Sequence, residues 1–161
     1  MRIVIDTSAL LSLAAGNILE LAVKVFNFVI PIRVKQELER ISKNRDFEGN
    51  LAKELLSYLD REIKVIESYK SSREGELECA YLANELEDVE FLITDDTNAL
   101  EKLEKISKKE VNFSTLIVYS LYLSRKISKE QGWKIIERMM VKRNWKDNII
   151  FEQAKLLWNN L

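Results

Sequence analysis

The chain has 161 residues, a formal net charge of −1, 47% hydrophobic and 32% charged residues, one cysteine and no histidine. This balance predicts a globular single domain over residues 1–161 and excludes a disordered chain. Without imidazole there is no histidine triad, histidine base or histidine zinc ligand, and the lone Cys79 builds neither a thiolate metal site nor an internal disulfide.

Taken in order, residues 2–5 form a short apolar run ending at Asp6, and Thr7 or Ser8 is placed to cap a helix through Ala9, Leu10, Leu11, Leu13 and Ala14. Gly16-Asn17 ends it. A helix through Ile18, Leu21, Ala22 and Val25 leads to a strand at Phe28–Ile30, and Pro31 starts the next helix, which carries Val34, Leu38 and Ile41. Phe47 to Leu59 is amphipathic, and Ile63–Ile66 reads as a further strand. Ser71-Ser72 is expected to cap a helix from about Glu74 to Leu86. A strand at Phe91–Thr94, a helix at Asn98–Ile106 and a short run at Val111–Phe113 follow, and from Ser114 onward the pattern is helical only. Strands alternating with helices predict an α/β layer architecture with a mostly parallel sheet. No apolar stretch approaches the ~18 residues that span a bilayer, and the chain opens on a strand-like run instead of a signal core. A cytoplasmic protein with no membrane partner is expected.

Chemistry-bearing residues in this pattern are carboxylates. Asp6 and the pair Asp95-Asp96 each follow a strand, and in an open parallel sheet sites form beyond the carboxyl ends of strands at a switch point. Clustered carboxylates hold hard cations such as magnesium or manganese. An aspartate after a strand is also a common helix cap, and Glu37 lies among charged residues that read as a solvated face, although close to the apolar stripe of its helix. Glu74, Glu76 and Glu78 crowd the start of one helix, where the helix dipole favours negative charge. Glu76 heads the stripe Cys79, Ala80, Ala83 and Leu86, whereas Glu78 heads the row with Leu82 and Glu85, so one of the two should point inward.

Four motifs together resemble the PIN-domain nucleases, in particular their archaeal and bacterial branch related to toxin–antitoxin ribonucleases. They are Val4-Ile5-Asp6-Thr7-Ser8-Ala9-Leu10; Pro31, Val34, Glu37 and Leu38; Gly75-Glu76-Leu77-Glu78-Cys79-Ala80; and Thr94-Asp95-Asp96. The resemblance covers about residues 1–120, with a helical extension from about 121 to 161. It implies a three-layer PIN-like fold whose central, mostly parallel sheet is flanked by helices.

The implied activity is a metal-dependent endoribonuclease, a candidate toxin of a toxin–antitoxin pair, with Asp6, Glu37, Glu78 and Asp96 as catalytic acids. Magnesium or manganese would be held by Asp6, Asp96 and Glu78, with Glu76 as the alternative third acid and Asp95 as a secondary one. Thr7, Ser8 and Thr94 would orient ligands or water through their hydroxyls. RNA is the implied substrate, and Arg33, Lys35, Arg40, Lys43 and Arg45 form the nearest basic cluster, which equally reads as an ordinary charged helix face. An antitoxin protein and a second copy of the chain are the implied protein partners. The apolar and aromatic residues Leu116, Val118, Tyr119, Leu121, Tyr122, Leu123, Trp133, Trp145 and Trp158 either build a homodimer interface or complete the core of one chain. The competing reading is a catalytically weak RNA- or protein-binding module of the same fold. A phosphotransfer domain would need a second aspartate two places after Asp6, where Ser8 stands, or a phosphoacceptor aspartate with an early acidic pair, and no such set is present.

Overall fold

The apolar runs become five strands: β1 (Arg2–Ile5), β2 (Asn27–Pro31), β3 (Lys64–Ile66), β4 (Val89–Ile93) and β5 (Glu110–Asn112). The computed structural model describes residues 2–145 and 148–159. The strands form one all-parallel sheet in the order β3-β2-β1-β4-β5. Ile3, Val4 and Ile5 of the central strand have no exposed surface, as expected for a parallel strand covered on both faces. The chain runs outward from β1 to β2 and β3, then returns across the centre to β4 and β5. The switch point therefore lies between β1 and β4, where a crevice opens beyond the strand ends.

Right-handed crossovers assign the helices to two flanking layers. On the β1-to-β3 side of the path lie α1 (Thr7–Ala15), α2 (Leu19–Val25), α3 (Ile32–Ile41) and α4 (Phe47–Leu56). Opposite are α5 (Gly75–Glu85), which packs on β1, β2 and β4, and α6 (Leu100–Ile106). The last third forms α7 (Thr115–Leu123), α8 (Lys129–Arg143) and α9 (Ile149–Asn159), with α7 against α2 and α8 against α1. Residues 9 to 15 of α1 are all buried, because α4 and α8 pack against it, with α2 and α3 beside them. Among the described residues, no single helix is long and apolar enough to cross a membrane.

Some local expectations change. The first helix is capped by Asp6, not by Thr7 or Ser8, and Pro31 closes β2 as the N-cap of α3 rather than sitting inside it. The Ser71-Ser72 pair does not cap α5, whose N-cap is Glu74; the Ser72 hydroxyl instead accepts from the Glu74 N–H. In the tail, Trp145 and Trp158 are each only 4% exposed. Trp158 packs with Tyr119, Tyr122 and Trp133, and Trp133 also meets Phe151. Trp145 and Trp158 thus belong to the core of this chain, whereas Trp133 is half-buried and Leu123 is exposed.

Gly49 in α4 is a close-approach position. A Cβ there would sit 2.2 Å from the backbone oxygen of Asn44, and a carbonyl in a tight turn cannot retreat as a flexible side chain can. Gly49→Ala should therefore lower stability by about 1–3 kcal/mol in denaturant titration, in spite of the ~1 kcal/mol that alanine gains in a helix. Asn50→Ala, at the next exposed position, should stay within about 0.5 kcal/mol of the parent.

Candidate active site

Asp6 is the first residue beyond β1. Its N–H donates to Ile93 O at 3.0 Å, continuing the β1–β4 ladder by one residue, so the side chain is delivered at the switch point. One carboxylate oxygen, Oδ1, accepts from the Ala9 N–H (2.9 Å) and the Ser8 hydroxyl (2.7 Å); Oδ2 accepts from the Thr94 hydroxyl (2.5 Å). Burial, at 4% exposure, pushes the carboxyl up to about 7. The hydrogen bonds from Thr94, Ala9 and Ser8 oppose that rise without cancelling it, and the Asp95 charge adds to it.

The same two hydroxyls bind the β4 end to Asp6. Ser8 Oγ also accepts from the Asp95 N–H at 2.8 Å, and Thr94 Oγ1 accepts from the Asp96 N–H at 3.1 Å. Asp96 turns back on its own loop, Oδ1 accepting from the N–H groups of Asn98 and Ala99, while its side chain still borders the crevice.

Glu37 comes from α3. The Thr7 hydroxyl donates to Oε2 at 2.5 Å, and the Gly75 N–H donates to Oε1 at 3.2 Å. Gly75 is required for this approach, because a Cβ would lie 2.6 Å from Oε1. Glu76, next along α5, is half-buried. Its carboxyl is raised by burial first and then by the charges of Asp96, Glu74 and Glu37. Asp6, Glu37, Glu76 and Asp96 thus line one cleft of about 260 Å³, together with Thr7, Ser8, Arg40, Glu48 and Arg143.

Glu78 does not line this cleft. Two residues apart on a helix means about 200° of rotation, so Glu76 and Glu78 cannot face the same way. Glu78 is buried, and its Oε2 accepts from the Ser72 N–H at 3.1 Å, which ties down the loop ahead of α5. The third acid placed with Asp6 and Asp96 is therefore Glu76, correcting the preference for Glu78. Asp95 also faces away from the cleft. Its two oxygens accept from the Ser114 N–H (2.9 Å) and hydroxyl (2.6 Å), joining β4 to the start of α7. Burial raises its carboxyl too, against the hydrogen bonds from Ser114.

Of the basic cluster, Arg40 alone borders the cleft. Arg33 donates twice to Arg73 O, and Lys35 pairs with Asp60; Lys43 and Arg45 are exposed beyond α3. Sequence reasoning missed Glu48 and Arg143, which are ion-paired across α4 and α8. Nothing local marks either residue, since each reaches the cleft through helix packing. Cys79 is buried under Asp6 with its thiol pushed well up, so it offers no reactive thiolate.

Oxygen donors on four acids with no imidazole or available thiolate make a donor set suited to a hard divalent cation. Among the described residues, no three acidic or thiol side chains are placed as a ready-made metal cage. A cation would draw on Asp6, Glu76 and Asp96, the latter two half-buried and the most adjustable.

A parallel sheet with acids gathered beyond the carboxyl ends of β1 and β4 defines an open α/β fold whose candidate site lies at the switch point. A family model described as the PIN domain matches residues 2–159, and the chain belongs to the PIN-domain family. Members of this family are in general nucleases and typically use divalent metal ions. Comparison with curated proteins and with solved structures found no match.

The Asp6 shift has a definite sign. A carboxyl at 3.8 unfolded and about 7 folded binds its proton more tightly in the native state. Its contribution to stability is complete below pH ~4 and is lost as pH rises through ~7. In chelator, the stability of Asp6→Asn relative to the parent should therefore rise between pH 4 and pH 8, by an amount on the order of a few kcal/mol. Thermal melts of the two proteins across this range check it; curves that stay parallel would contradict the assignment.

Proposed function

We propose that this protein is an endoribonuclease that hydrolyses RNA phosphodiester bonds with magnesium or manganese. The observation that carries the reading is the convergence of Asp6, Glu37, Glu76 and Asp96, from four separate segments, on one cleft at the switch point. Like charges so placed repel one another: the Glu76 carboxyl is raised by burial first and then by the charges of Asp96, Glu74 and Glu37, and a divalent cation removes that penalty at neutral pH. Such an ion, when bound, supplies charge neutralisation at the phosphate and a more acidic water.

The chain's own groups have separable tasks. Asp6 and Asp96 present oxygens from either side of the switch point, and the hydroxyls of Ser8 and Thr94 fix the Asp6 carboxylate plane. Glu37 is held by Thr7 and Gly75, so its charge stays directed at the cleft without rotamer freedom. Glu76 is the more loosely held acid, with a raised affinity for a proton.

A second reading, an RNA-binding module with weak or no catalysis, is favoured by one observation. Both oxygens of Asp6 and of Glu37 are already engaged by protein donors. Labelled mixed RNAs incubated with magnesium, manganese or chelator separate the two. Cleavage should require metal, and Asp6→Asn, Asp96→Asn and Glu76→Gln should each slow it by about a hundredfold or more. Glu78→Gln, which keeps an acceptor for the Ser72 N–H, should stay within a few-fold of the parent. RNA binding with no metal-stimulated cleavage would select the binding module instead.

A further inference from the structure

A cleft lined by five acids repels a phosphodiester, and only one of the two arginines on its wall is free to answer that charge. Arg143 is spent on the protein itself. Its side chain is 15% exposed, Nη1 pairs with Glu48, and Nε is buried, with the Asp95 charge beside the guanidinium. Arg40, in the last turn of α3, is exposed and belongs to none of the ion pairs among the described residues. That freedom has a local cause. Glu37 stands three residues earlier, the spacing at which an acid and a base on one helix face ordinarily pair. Here both Glu37 oxygens are turned to other donors, the Thr7 hydroxyl and the Gly75 N–H. Glu48, which borders the cleft from α4, is paired with Arg143. Glu39 lines a separate hollow with Lys35 and Asp60. Arg40 is thus a cation without a protein counter-charge at the rim of an acidic cleft.

We propose that Arg40 is the phosphate-binding residue of the cleft, its unpaired guanidinium receiving non-bridging oxygens of the RNA backbone at the linkage next to the one held at the acids. This rests on the nuclease reading and adds how the substrate is held. A guanidinium cannot shed its proton, so the charge persists wherever the acids are ionised. Its fork of N–H donors matches two phosphate oxygens at once. One helical turn separates the stems of Glu37 and Arg40, about 5–6 Å at Cβ, and the exposed Arg40 side chain extends outward from there. The guanidinium therefore meets the neighbouring phosphate, not the one at the acids. Glu37 faces the cleft and Arg40 its rim, so a strand crossing α3 passes from repulsion to attraction within one turn.

The test is fluorescence anisotropy of a labelled oligouridylate with the full chain, in calcium and in chelator, over a salt series, with magnesium- or manganese-dependent cleavage and thermal melts alongside. Arg40→Ala should weaken binding about tenfold and lower the salt slope by about one. Arg40→Lys, which keeps the charge and loses the fork, should fall between parent and Arg40→Ala. Arg40→Glu, which adds another acid to the rim, should bind more weakly than Arg40→Ala. In cleavage the loss should appear in KM, with kcat within a few-fold of the parent, because the contact is made equally before and during the chemical step. Melting temperatures should stay at the parent value, since an exposed, unpaired side chain holds no part of the fold. Lys134→Ala, at an exposed position on α8, is the control and should bind like the parent.

The salt slope and the KM effect separate a phosphate contact from a structural role, which would move the melting temperature and leave the slope unchanged. A parent that binds and cleaves RNA while Arg40→Ala binds equally well overturns this proposal alone. So does an equal loss in Lys134→Ala, which would reduce the effect to net charge, or a loss confined to kcat. A parent that neither binds nor cleaves RNA overturns it together with the nuclease reading.

Discussion

The Asp6 carboxylate is the constraint on which the rest of the architecture rests. An ionisable group placed at the end of the central strand, 4% exposed, is tolerable only if its oxygens are met by donors. One oxygen is met locally, by the first turn of α1. The other is met by Thr94, 88 positions away in the chain, and that bond requires β4 to lie beside β1 in the register that pairs Ile5 with Ile93. Capping a helix, pinning two strands and presenting an acid to the cleft are thus one act of burial.

Not every acid near the centre belongs to the cleft, and the side chains that border it tell them apart. Glu78 and Asp95 are aimed at backbone N–H groups of neighbouring segments, Ser72 and Ser114, and so tie loops to helices. Asp6 and Glu37 each accept one backbone N–H, from Ala9 and Gly75, together with hydroxyls that can rotate, those of Ser8, Thr94 and Thr7. A hydroxyl is both donor and acceptor, so these contacts can re-form when the carboxylate changes its charge or its ligand.

The near-zero net charge is consistent with this division. Acids brought together at the switch point are balanced by cations scattered over helix surfaces, many of them in one-turn pairs such as Lys24 with Glu20 and Lys134 with Glu130. These pairs are worth little in stability, whereas in the cleft five acids meet two arginines. A total charge of −1 therefore says little about how the molecule meets an anionic ligand, because it averages over this segregation.

All five strands, and most helices, were legible in the sequence, because apolar runs of strand length and amphipathic runs of helix length are signals carried by neighbouring residues. The acids Asp6, Glu37 and Asp96 were legible for the same reason, each standing at a strand end or within a motif. What was not legible depends on rotation and packing. The choice of Glu76 over Glu78 turned on which side of α5 meets the sheet, and the cap of α1 on whether Asp6 or the next hydroxyl reached Ala9. Trp133 and Trp158, two of the tryptophans that suggested an interface, pack with Tyr119, Tyr122 and Phe151 of the same chain. Glu48 and Arg143 carry no local mark at all. Sequence alone determined which elements form and which acids end them, since those depend on contacts within a few residues. Only the tertiary structure decided which side chains share the cleft, since that depends on helix orientations set by burial across the whole core.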